Sequence, residues 1–223
     1  MCMDGVYLVI CEGESECNYL GHLNRFLSTL PLPASGGPVA LRFIPKPTRE
    51  DPVKGRAIGC GSGDFTKVSK AYKAEQKKNR HATFAIWVDA DLYVRNDKGN
   101  RDKYESRPAG IPSFNFSLLN FEDFLALHAD EAHFAAWVEE MRKAGHFECP
   151  CHWEAYEPHC LKVFPEYQKN RLPVDFMTKD RLTNLFRHLD ALPGIDTKGL
   201  TVEKTFATVL RDVLTRNYPT LFE

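Results

Sequence analysis

Two apolar segments of this chain each stop on acidic residues. Val6–Cys11 runs into Glu12-Gly13-Glu14-Ser15-Glu16, and Phe84–Val88 runs into Asp89-Ala90-Asp91. Short continuous apolar runs of this kind are expected as strands buried on both faces, the kind found in parallel sheets. Acidic side chains at the carboxyl ends of such strands converge on one edge, where open α/β folds place their chemistry. Several ionised carboxylates there are costly unless paired, so a hard divalent cation is the expected partner.

The segments between and after these strands fit that reading. Ser15 is placed to cap a helix whose apolar face is Tyr19, Leu20, Leu23, Phe26, Leu27 and Leu30, with Pro31 and Pro33 ending it. Val39–Ile44 reads as a second strand closed by Pro45 and Pro47, and Gly59–Gly63 as a flexible loop. Asp64 caps a helix running to about Asn79, and Thr83–Val88 is the third strand. The order β-α-β-α-β predicts a parallel sheet with right-handed crossovers. Tyr93–Gly110 reads as a long charged loop beside the site, and Ser113–Leu119 as a fourth strand. Asn120 or Ser117 caps a helix from Phe121 to His128; another follows over Glu131–Ala144, with Gly145 as its C-cap. Cys149–Pro173 reads as irregular, followed by helices near Lys179–Leu189 and Val202–Arg216. The expected fold class is therefore α/β: about four parallel strands flanked by helices, with a helical C-terminal extension. Residues 1–145 form the core, and 146–223 an irregular segment and helical cap packed on it.

Charge and cysteine content narrow the function classes. With 29 Lys+Arg against 30 Asp+Glu the chain is near neutral, so bulk charge gives no argument for nucleic acid. The run Lys67, Lys70, Lys73, Lys77, Lys78 and Arg80 reads as a solvated helix face. Arg95, Arg101 and Lys103 follow the Asp pair directly and are candidates for guiding a polyanion to it. The seven cysteines are scattered and Met1-Cys2-Met3-Asp4 lacks the features of a signal peptide, so the expectation is a cytoplasmic protein with reduced thiols and no membrane partner.

The candidate site is built on Glu12, Asp89 and Asp91. Residues i and i+2 of a strand point the same way, so an extended chain through Asp89 and Asp91 would aim both carboxylates at one Mg²⁺, with Mn²⁺ as a substitute. Glu12 approaches from the neighbouring strand as a further ligand or as a general base or acid. Glu14 and Glu16 fall in the first helical turn and read as complements of the helix dipole. Glu122, in the first turn of its helix, reads either as a complement of the helix dipole or as a further metal ligand. His128 lies six residues later, about 9 Å and about 240° around the helix, so the two do not easily chelate one ion. Lys169 is a candidate for neutralising phosphate charge. Cys149-Pro150-Cys151-His152 and His159-Cys160 are dense in soft ligands, but C-x-C with a stiff proline departs from common zinc spacing, and reduced, partly buried side chains are the expectation.

These residues resemble a family. Glu12-Gly13 and Asp89-Ala90-Asp91, each after a strand, look like the Toprim domain. The segment from Val9 to Leu20 resembles more particularly the start of RloB-like proteins. Asn120–His128 is similar to that family's later Phe-Glu…His segment, Tyr167-Gln168-Lys169 to its Tyr-x-Lys, and Gly61-Ser62-Gly63-Asp64 to its glycine-rich turn. The family's Ser-Asn-Pro ahead of Phe-Glu is absent here, where Phe116-Ser117-Leu118-Leu119 stands. The resemblance implies a Toprim-like core and a Mg²⁺-dependent nuclease in prokaryotic defence against phage, acting on RNA with tRNA among the substrates, alongside a partner ATPase or other defence subunit. A second class stays open: a binding subunit that grips Mg²⁺ and a nucleotide or nucleic acid without turnover. Strand joining or primer synthesis would need a further domain for which 223 residues leave little room.

Overall fold

The computed structural model describes residues 5–31, 41–48, 64–96, 99–148, 152–169, 171–192 and 200–222. The Gly59–Gly63 loop, Cys149, Cys151, Lys98 and the start of the expected second strand lie outside them. Four strands, β1 (Val6–Cys11), β2 (Arg42–Pro47), β3 (Thr83–Val88) and β4 (Phe114–Phe116), form one all-parallel sheet in the order β2-β1-β3-β4. The two acid-terminated strands are adjacent at its centre, with Cys11 opposite Trp87. That register brings the segments after Cys11 and Val88 out at the same edge.

Helices cover both faces. On the Trp87 face lie α1 (Glu14–Leu27), α5 (Phe121–Ala126) and α9 (Phe206–Asn217): Tyr19 and Phe124 pack against the Trp87 ring at 5.4 and 4.9 Å, and Phe206 stacks on it at 4.2 Å, nearly coplanar. On the opposite face lie α2 (Phe65–Lys78), α3 (Asp91–Arg95) and α4 (Asn100–Glu105), where Tyr72 meets Phe84, Phe65 meets Phe114, and Tyr93 and Tyr104 meet Phe116. The basic run on α2 is exposed at every member, which agrees with a solvated face.

Several local expectations need correction. Gly13, not Ser15, is the N-cap of α1, and the Glu16 carboxylate accepts from its backbone N–H at 3.1 Å. The helix ends at Leu27, before either proline. β2 runs to Pro47 through Pro45 rather than stopping before them; it is an edge strand, so prolines remove no ladder donor that the sheet needs. The Asn24 amide of α1 covers part of that edge, accepting from Phe43 N at 2.8 Å and donating to Phe43 O at 2.6 Å. The long charged loop contains α3 and α4, because Tyr93 and Tyr104 supply apolar anchors that its overall polarity hid. β4 is shorter than expected. The segment expected to be irregular contains α7 (Trp153–Val163), with Pro158 inside it and Tyr156, Cys160 and Val163 turned inward.

Other expectations match. Asp64 caps α2 through Thr66 N and Lys67 N. The α6 helix (Glu131–Lys143) ends in a Schellman pattern: Gly145 has φ 68°, its N–H bonds to Arg142 O, and His146 N–H bonds to Met141 O. The C-terminal segment is helical, with α8 at Lys179–Ala191; α9 starts at Phe206 rather than Val202, after a 3-10 turn over Val202–Lys204, and its N-cap Thr205 bridges Phe116 beside β4. No helix among the described residues is long and apolar enough to cross a membrane. Because Phe206 is fully buried against Trp87, Phe206→Ala should cost about 3–5 kcal/mol, read as a lowered urea midpoint with an unchanged slope.

Candidate active site

The carboxyl edge of the two central strands gathers carboxylates from separate segments. Glu12 Oε2 accepts from Asp89 N–H at 3.2 Å, linking the residue after β1 to the residue after β3. Asp89 itself is partly buried, and its Oδ1 is fully buried with no hydrogen-bond partner. Burial, then the charges of Glu12, Glu16, Glu122 and Asp91, hold the Asp89 carboxyl well above its usual range. Burial also pushes Glu16 up to about 7, with Glu122 adding to it and the N–H groups at the start of α1 opposing it. Five carboxylates thus share one electrostatic neighbourhood.

Asp91 is not carried on an extended chain as expected. The strand ends at Val88, Ala90 turns at φ −92° and ψ 2°, and Asp91 is the first residue of α3. The extended conformation needed to point Asp89 and Asp91 the same way is therefore absent. The Asp91 Oδ1 accepts from Leu92 N–H at 2.7 Å at the helix start, while its charge still acts on Asp89.

Glu122 lies in the first turn of α5, is buried, and has both oxygens engaged: Oε2 accepts from Tyr156 O–H at 2.7 Å and Oε1 from Tyr167 O–H at 2.9 Å. The neighbouring Asp123 fixes this turn. Its carboxylate accepts from Asn120 N–H and Trp137 Nε1–H and pairs with the buried His146 ring at 2.9 Å. Burial works against the charged His146, but Asp123 prevails and its pKa is raised. His128 is not a ligand. Its Nδ1–H donates to Phe124 O at 3.1 Å, its Nε2 accepts from Tyr19 O–H at 2.9 Å, and burial lowers its pKa to about 3. Both ring nitrogens are spent on one tautomer, so His128 orients Tyr19 and α5.

The cations expected near the site are mostly engaged elsewhere. Arg101 donates to Tyr93 O and Val94 O and lies 5.1 Å over the Tyr93 ring, so it ties α4 to α3. Lys103 is exposed and reaches Asn100 Oδ1 at 3.3 Å. Arg95 is half-buried in the last turn of α3. Lys169 is exposed over the Trp153 ring, two residues beyond the Tyr167 that holds Glu122. His152, His159 and Cys160 are described; Cys160 is buried, with its thiol pushed up to about 12, and His159 pairs with Glu140 at 2.9 Å.

Sequence reasoning missed Glu16, Tyr156 and the depth of Glu122. Glu16 sits three residues after the N-cap, where a side chain folds back toward the helix start, and that spacing was the available signal. Tyr156 gave none, because it belongs to a helix hidden in a segment read as irregular.

What such an edge can hold follows from its donors. Like charges ~5 Å apart at an effective dielectric near 20 repel by about 3 kcal/mol a pair, so the cluster needs protons or a cation. All donors are hard oxygens, which suit Mg²⁺ or Mn²⁺. Among the described residues no three His, Cys, Asp or Glu side chains come together as a ready cage. Mg²⁺ does not need one, since it takes one or two carboxylates and fills its remaining positions with water and phosphate. The unpartnered Asp89 oxygen with its Glu12 neighbour fits that kind of site.

A carboxyl raised from 4.5 unfolded to about 7 folded favours the folded state fully below pH 4.5, and that contribution is lost as pH rises through 7. In chelator, wild type should therefore lose about 3 kcal/mol relative to Glu16→Gln between about pH 4.5 and about pH 8, measured by urea unfolding. Equal pH profiles for the two proteins would contradict the placement of Glu16.

No protein-family model, curated protein or solved structure matches this chain in comparison, so the reading of its function rests on the site itself and on the short motifs quoted above.

Proposed function

We propose that the protein is a divalent-cation-dependent phosphodiesterase acting on nucleic acid. The observation that carries this reading is the Glu12–Asp89 contact at the edge of the two central strands, with a buried, unpartnered Asp89 oxygen beside it. The resemblance to RloB-like Toprim proteins supports RNA as the substrate and a role in defence against phage.

In this reading Asp89, with Glu12 or Asp91, would hold Mg²⁺. When bound, the cation polarises a phosphoryl oxygen and steadies charge on the leaving oxygen. Glu12 is placed between the two strand ends and would take a proton from the attacking hydroxyl or water. The charges of Glu16 and Glu122 act on Asp89 from behind, which favours a cation there. Tyr156 and Tyr167 keep Glu122 fixed through their hydroxyls. Lys169 and Lys103, both exposed, would meet the backbone, while Arg101 is committed to the α3–α4 turn.

One observation favours a second reading, a binding subunit without turnover. Among the described residues, Arg101 and Lys169 are engaged by Tyr93, Val94 and Trp153, so in that reading a partner would supply phosphate contacts. The two readings separate in one experiment. Purified protein is incubated with tRNA, single-stranded RNA and duplex DNA, with Mg²⁺ or with chelator. The nuclease reading expects cutting that needs the cation and falls by about 10³-fold or more in Asp89→Asn and in Glu12→Gln. Cutting that survives both substitutions removes it; cation-dependent binding without cutting favours the second reading.

A further inference from the structure

A cleft of about 570 Å³ has Glu122 in its lining. Its walls come from the end of α5 (Leu125, His128), the end of α7 (Val163, Phe164) and the segment leading into α8 (Tyr167, Phe176). The volume lies in the range of small-ligand sites, and the lining mixes apolar and aromatic side chains with polar and charged ones.

Three features indicate what it takes. First, Glu122 is a wall of the cleft, and the segment leading into its helix is tied to the acidic edge, since Leu119 O accepts from Ala90 N–H, next to Asp89, at 3.0 Å. Second, the rim carries Asp130, Glu166 and Asp180 against a single arginine, Arg181, which disfavours a phosphate inside. An uncharged flat group is preferred. Third, hydrogen-bonding groups suited to such a group are present. The Arg181 guanidinium lies 4.6 Å over the Phe176 ring, where Nη1 donates to Phe176 O and the fork is held in one orientation. Asn184, one turn on along α8, is half-buried and adds an amide with both donor and acceptor. His128 is buried with both nitrogens spent, so it offers no hydrogen-bonding group to a ligand.

We propose that this cleft receives a nucleobase turned out of the strand whose phosphate lies at the acidic edge. Aromatic walls stack an extruded base, and Arg or Asn at such a site meets its carbonyl and ring nitrogens. The inference rests on the nucleic-acid reading of the site and extends it, since it makes the protein a reader of base identity next to the bond it addresses. It also explains why an aromatic cleft and a carboxylate cluster share one buried glutamate.

The test uses nucleosides, which carry no phosphate, in the presence of chelator, so the acidic edge cannot contribute. Equilibrium dialysis of the full chain against adenosine, guanosine, cytidine and uridine at about 1 mM should give saturable binding with a preference among the four. Asn184→Trp, which places a bulky ring at the mouth from a half-exposed helix position, should weaken binding at least tenfold. Arg181→Met should reduce the preference among bases. Absence of binding for all four nucleosides overturns the inference, as does binding that Asn184→Trp leaves unchanged. Nucleoside binding without cutting of any nucleic acid would retain the cleft and remove the nuclease reading. Cutting without nucleoside binding would do the reverse.

Discussion

The hydrogen bond from Asp89 N–H to the Glu12 carboxylate is the contact on which the site depends. It joins the segments that leave β1 and β3, which are neighbours only because the sheet order places them side by side. The contact also fixes a negative group where a second one, Asp89, is already partly buried. A fold that wanted only stability would not assemble Glu12, Asp89, Asp91, Glu16 and Glu122 there. Burial and mutual repulsion push Asp89 and Glu16 toward their protonated forms, and that cost persists because the surrounding sheet and aromatic packing over-determine the geometry.

Around this edge the structure divides its polar groups into two kinds. Asp123 is satisfied three times, by Asn120, Trp137 and His146, and His128 twice, by Phe124 and Tyr19. Those groups set the position of α5. Glu122 stands between the kinds, held by two tyrosine hydroxyls yet lining the cleft. The Asp89 Oδ1 has no partner, and a buried oxygen left in that state is where a ligand gains most by arriving.

Much of the architecture was legible in the chain. The apolar runs with acidic ends located β1 and β3 to the residue, because buried central strands have a continuous pattern that little else imitates. The edge strand was misplaced by three residues since its prolines look like stops, and only the sheet order reveals that an edge tolerates them. Asp91 was misjudged for a similar reason. The helix that begins at it is five residues long and depends on Tyr93 and Val94 being buried, which periodicity cannot detect at that length. Glu16 looked like a dipole complement because local helix electrostatics explain it adequately. Its burial beside Asp89 and Glu122 is a tertiary fact. The cleft was invisible in sequence, being formed by α5, α7 and α8, which are far apart in the chain.

The central claim is that these carboxylates act together as one cation site. Electron paramagnetic resonance of Mn²⁺ added to the full chain measures this directly, because bound and free Mn²⁺ give distinct signals. The account predicts a bound population that Mg²⁺ displaces and that is lost in Glu12→Gln and Asp89→Asn while the fold stays intact. Mn²⁺ bound equally well by both variants, or not retained by the wild-type chain at all, would contradict it.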